Sequence, residues 1–279
     1  MDIPFPFVYK FSALNINSLS ALSEGKAWFS KLSDFNDPFE GQFIVTPPDL
    51  KREREKFFEH MTKNIPSHPL TISPAEVVRK RYFDSPDEFE SFVNKLVIET
   101  HHKFYESYLN IGAYCLASDI PGVDASHVSN VMMWSHYADG MKGFCIKYNP
   151  NKLIASLNES NDEKFYWAKI EYQDDKHTVD YYDLVDTSKH ATIRAIQTKH
   201  TGWEYEYECR LLVNNPGLYK YSHDAIECIY IGSKMPAPHQ KILLDICSVN
   251  LPDVDVFNVR THGKAYAVEL GRYQKYNSE

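Results

Sequence analysis

Between residue 48 and about residue 110 the chain reads as helix, and on both sides of that block it reads as short strands. This arrangement limits the possible folds more than any composition does. The helical block contains KREREKFFEHM, SPAEVVRKRYF and SPDEFESFVNKLVIETHHKFYESYL. Within it, Ser85 precedes Pro86 and Glu88 follows three residues on, the pattern of a capping box with proline in the first turn. Ahead of the block, PFVYKF (6–11) predicts a strand. Asn15 or Asn17 caps a short helix through Leu22 that Gly25 ends, and KAWFS (26–30) predicts a second strand. Beyond it, residues 111–117, 143–148, 164–172, 207–213, 225–231 and 265–270 predict strands, with helices near 181–200 and 238–247. The elements mix without a strict β-α-β alternation. The expectation is a single α+β domain over residues 1–279, a mixed and mainly antiparallel sheet with a helical insertion at about 48–110.

Charge and cysteine content narrow the function classes. A net charge of −8 argues against a broad nucleic-acid surface, which needs clustered Lys and Arg. Cys115, Cys145, Cys209, Cys228 and Cys247 form no C-x-x-C pair and sit in apolar runs, so they read as reduced, buried thiols. The start, MDIPFPFVYKF, lacks a basic leader, and no apolar run is long enough to span a bilayer, which predicts a cytoplasmic protein without membrane contact. His101 and His102 are adjacent, H-E-x-x-H is absent, and no metal site is expected; neither glycine-rich phosphate-binding pattern is present.

Three stretches carry candidate chemistry. In WEYEYECR (203–210), read as a strand, one face holds Glu204, Glu206, Glu208 and Arg210, and the other holds Trp203, Tyr205, Tyr207 and Cys209. Neighbouring carboxylates raise each other's pKa while Arg lowers it, so such a row can hold one acid and one base. The plainer alternative is a solvated strand face. In FSKLSDFNDPFEG (29–41), Asn36 and Asp37 before Pro38 make a tight turn, with Phe35 and Phe39 expected to pin it to the core. The turn would present Ser30, Asn36 and Asp37 to a polar ligand, or serve as an Asx-turn alone. In WSHYADGMKGFCIK (134–147), His136 and Tyr137 are possible proton donors.

These stretches together resemble a bacterial domain-of-unknown-function family, DUF2971. The resemblance rests on three signatures in order: VYKF (8–11) leading to WFS (28–30) and FNDPF (35–39); MWSHY (133–137) with GFCI (143–146); and Lys199 with WEYEYECR. More distantly, the order of parts resembles the ADP-ribosyltransferase superfamily. That resemblance implies an NAD-dependent ADP-ribosyltransferase-like or NAD-cleaving enzyme, in the setting of a bacterial toxin or defence effector. It puts Lys10, where the family has His or Arg, and Ser30 around the nicotinamide riboside half of NAD. It makes Glu208 the catalytic residue, with Glu206 beside it, or Glu206 with Glu204 one register back. Lys199 or Arg210 would meet the pyrophosphate; Asn36, Asp37 and Arg210 lie outside the superfamily's pattern. The acceptor stays open: a protein, a nucleic acid or a small molecule. Two other readings stand beside it. One is a non-catalytic module in which Asn36, Asp37, Lys199, Glu208 and Arg210 form a polar pocket or a structural ion network. The other is a Mg²⁺-dependent hydrolase or nuclease built on Asp34, Asp37, Glu206 and Glu208.

Overall fold

The computed structural model describes residues 5–63, 73–119, 127–186, 191 and 193–272. Strand β1 (Val8–Ser12) opens the chain. Helix α1 (Ile16–Glu24) follows; the Asn15 side chain caps it, and Gly25 ends it at φ 62°. Then come β2 (Lys26–Lys31) and β3 (Phe43–Thr46). The helical block resolves into α2 (Arg54–Thr62), α3 (Pro74–Asp84) and α4 (Pro86–Leu109), with residues 64–72 of the expected block outside the described set. Reciprocal capping bonds are present at Ser73 and Glu76, with Pro74 in the first turn; Ser85 closes α3, and its carbonyl accepts from Phe89 N at the start of α4.

Next are β4 (Gly112–Ser118), α5 (Val131–Tyr137), β5 (Phe144–Tyr148), α6 (Pro150–Ser160), β6 (Tyr166–Lys169), β7 (Glu171–Tyr172) and β8 (His177–Asp180). The long helix expected near 181–200 is replaced by two short ones, α7 (Tyr181–Val185) and α8 (Ile193–Ile196); residues 187–190 and 192 are not described. The chain closes with β9 (Thr198–Lys199), β10 (Glu208–Val213), β11 (Gly217–Lys220), β12 (Ile226–Gly232), α9 (Ala237–Asn250), β13 (Asp255–Thr261) and β14 (Val268–Arg272).

The contacts divide the chain into two compact units. The first comprises Met1–Pro38, Asn110–Asp174 and Lys199–Glu279, and holds a ten-stranded sheet in the order β11-β2-β4-β1-β5-β12-β13-β14, with β10 joining β4 to β6. Every pairing in it is antiparallel except β12 with β13, which α9 connects as a crossover. The fold class is thus α+β. Alternation along β1 sends Val8 into one core and Tyr9 and Phe11 into another. The first core packs Leu22 of α1, Leu153 of α6 and Leu243 of α9. The second packs Met133 and Trp134 of α5. In the second unit, Phe39–Leu109 with Asp175–Thr198, β3 pairs in parallel with β8, and Phe57, Phe58, Phe89, Val93 and Tyr181 form an aromatic-rich core. No helix among the described residues is long and apolar enough to cross a membrane.

Candidate functional site

A cavity of about 300 Å³ in the first unit is lined by Lys10, Ser30, Asn36, Lys199, Glu206 and Glu208 among others. Strand β1 delivers Lys10, β2 delivers Ser30, and the start of β10 delivers Glu208. Aromatic walls come from Tyr9, Phe11, Trp28, Phe35 and Tyr137. Trp28 shares Ser30's face of β2 and is 59% exposed. The WFS signature contains it without a role, although its spacing of two from Ser30 marks the shared face. Asp37 is buried but does not line the cavity, and Arg210 is 0% exposed and lies behind Glu208.

The segment WEYEYECR is not one strand. Residues Thr201–Glu206 form a 3-10 turn that His200 caps through its Nδ1, and β10 begins only at Glu208. Tyr207 joins the two in a left-handed conformation at φ 42°. Its N–H donates to Glu204 O at 3.1 Å, and its carbonyl accepts from Ser118 N at 2.9 Å and Ser118 Oγ at 3.0 Å. Asn130 Nδ2 holds the turn from outside through Tyr205 O at 2.6 Å. The expected shared face of Glu204, Glu206, Glu208 and Arg210 is therefore corrected: Glu204 is exposed, and the other three are buried. Aromatic-rich alternation imitates a strand; hydrogen bonds to Ser118 and Asn130, distant in sequence, make the turn. The FNDPF expectation is corrected too. Phe39 is 54% exposed, whereas Phe29 and Leu32 are the fully buried apolar side chains of this segment. Phe35 instead lies 5.2 Å beneath the Arg210 guanidinium.

The charges form one chain. Lys199 Nζ donates to Glu206 Oε2 at 2.5 Å and to Glu208 Oε2 at 3.0 Å. Arg210 donates through Nε to Glu208 Oε1 at 2.6 Å and through Nη2 to Oε2 at 3.2 Å. The Cys115 thiol also donates to Glu208. A carboxylate offers about four lone-pair directions, so Glu208 is saturated. Among the described residues, Glu206 accepts from Lys199 and from the Tyr137 hydroxyl, which itself accepts from Asn36, and so retains capacity toward the cavity. His136, the other donor flagged in that segment, is exposed and does not line the cavity.

The two carboxyls titrate apart. Burial pushes Glu206 up, and Glu208 adds to the rise against the opposing pull of Lys199. Burial also opposes the Glu208 charge, but Arg210 and Lys199 outweigh it and hold the carboxyl well below its usual range. Burial works against the Lys199 ammonium, and Glu208 and Glu206 more than restore it. Glu208 is thus a fixed negative charge, and Glu206 is the group able to exchange a proton in a milder range. The carboxylates Asp34, Asp37, Glu206 and Glu208 do not gather as ligands: among the described residues no three His, Cys, Asp or Glu side chains could hold a metal ion.

The fold and site define an α+β protein whose sheet builds a buried carboxylate–lysine–arginine network at the wall of a small aromatic cavity. Residues 133–211 match the model of a family described as "Protein of unknown function (DUF2971)", which supports the family resemblance over the second and third signatures. No curated protein and no solved structure matches the chain.

Proposed function

We propose that the cavity binds the nicotinamide riboside half of NAD as substrate and cleaves its N-glycosidic bond, with water as the simplest acceptor. The observation that carries this reading is convergence: Lys10 of β1, Ser30 of β2 and the Glu206–Glu208 pair line one cavity. Its volume, about 300 Å³, sits at the small end of ligand sites and suits a nucleoside-sized group. Ser30 and Asn36 offer polar partners for a carboxamide, and the aromatic walls offer faces for the ring. As the bond to nicotinamide breaks, positive charge develops on the ribose. Glu206 is the carboxylate with spare lone pairs to meet it, while Glu208 and Lys199 fix its position. Preorganised charge of this kind contributes about 10²–10³ in rate.

The test is nicotinamide release from NAD by the purified chain. Glu206→Gln should keep the fold and lose about 10²–10³ of the rate. Full turnover in that variant rules the reading out. The wild-type rate should also climb with pH through a value above the ordinary carboxylate range, because burial raises Glu206.

A second reading, ligand binding without turnover, is favoured by the saturation of Glu208 and the complete burial of Arg210, both marks of a structural ion network. Thermal stabilisation by NAD without nicotinamide release supports it over the enzyme.

A further inference from the structure

A second cavity of about 650 Å³, also in the first unit, shares Lys10, Phe11, Trp28, Ser30 and Tyr137 with the first. Lys10 therefore stands where the two meet. The cations behind the first cavity, Lys199 and Arg210, are both bonded to carboxylates. Lys10 is not: its Nζ donates to a neutral acceptor, the Cys115 carbonyl, at 3.0 Å, and lies 4.7 Å from the centroid of the Tyr114 ring.

An ammonium carries three N–H groups. The carbonyl and the ring face take two directions at Nζ, and the third faces the cavities, where no carboxylate is bonded to it. Burial lowers the Lys10 pKa, with the Glu208 carboxylate pulling the other way. A desolvated amine facing a cavity is the state in which lysine acts as a nucleophile.

We propose that Lys10 forms an imine with a small aldehyde or with the open-chain form of an aldose. Its nitrogen adds to the carbonyl carbon, and an amine proton passes to the carbonyl oxygen, giving a carbinolamine. Glu206, a carboxylate in the same cavity, takes the proton from the nitrogen as the carbon–nitrogen double bond closes and passes it to the departing hydroxyl, which leaves as water. The inference does not rest on the NAD reading and survives its failure.

The experiment uses wild-type protein with glyceraldehyde and sodium cyanoborohydride at pH 7; the hydride reduces the imine to a stable secondary amine. Peptide masses followed over time report the rate at each lysine. Lys10 should be modified faster than exposed Lys103 and Lys152, since a lowered pKa leaves more free amine at pH 7. In Lys10→Arg the fast site should vanish and the slow ones persist. Lys10 reacting no faster than the exposed lysines, or a fast site surviving in Lys10→Arg, overturns the proposal.

Discussion

Replacing Lys199 by Met separates an ion network that holds the site from one that merely decorates it. Lys199 is 6% exposed and bridges Glu206 and Glu208 at 2.5 and 3.0 Å. Removing it leaves two buried carboxylates against the single charge of Arg210. Breaking such a pair costs about 3–5 kcal/mol when the orphaned charge cannot be relieved. Here it can be relieved, by protonating Glu206. Burial already raises that carboxyl, and loss of the Lys199 charge that lowers it raises it further. A carboxyl whose folded pKa lies above its unfolded value of 4.5 binds more protons in the folded state. Its favourable contribution is full below the unfolded pKa and is lost as pH rises through the folded one. The deficit of Lys199→Met should therefore be small at pH 5 and reach about 3 kcal/mol by pH 8, a drop of roughly 6–10 °C in Tm for a chain of this size. Thermal denaturation of both proteins at the two pH values measures it. A variant within 1 °C or so of wild type at pH 8 refutes the reasoning, and so does an equal deficit at both pH values.

Two other perturbations probe the same unit. His127 is 0% exposed and ringed by Tyr9, Phe11 and Tyr207, and among the described residues neither ring nitrogen has a hydrogen-bond partner; burial pushes its pKa down to about 4. A folded pKa below the unfolded 6.5 gives stability that is complete above pH 6.5 and drains away as pH falls toward 4, on the order of 3 kcal/mol in all. His127→Leu should flatten that part of the stability–pH curve; an unchanged slope argues against the account. At Gly143 a Cβ would stand 2.1 Å from Ser12 O and 3.0 Å from Ala138 backbone atoms, so Gly143→Ala should cost at least about 2 kcal/mol by chemical denaturation, and a neutral effect would show that β1 and β5 yield there.

Much of the fold could be read from local signals. The Asn15 cap, Gly25 stop and KAWFS alternation place α1 and β2, because those bonds form within a few residues. The three insertion helices follow from their apolar periodicity. Ser30, Asn36, Glu206 and Glu208 stand out by residue type within their stretches, whereas Lys10 and Lys199 enter only through the family resemblances; all six line one cavity. What could not be read depends on distant partners. Tyr207 leaves the strand because Ser118, 89 positions away, grips its carbonyl. That contact is not written within its own neighbourhood. The lone Lys10 amine has no sequence signal either, since its acceptor is a main-chain oxygen 105 positions away.

The left-handed backbone at Tyr207 also bears on how related chains should be aligned. It acts as a corner post: the acid before it is turned to meet Tyr137 and Lys199, and the acid after it begins a ladder against β4. Glu206 and Glu208 are therefore not interchangeable copies one pleat apart. An alignment that slides by two places to improve strand overlap exchanges a tethered charge for a solvent-facing one. Anchoring on the corner, and on the Ser118 that braces it, keeps each acid in its own role even where the flanking aromatics have drifted.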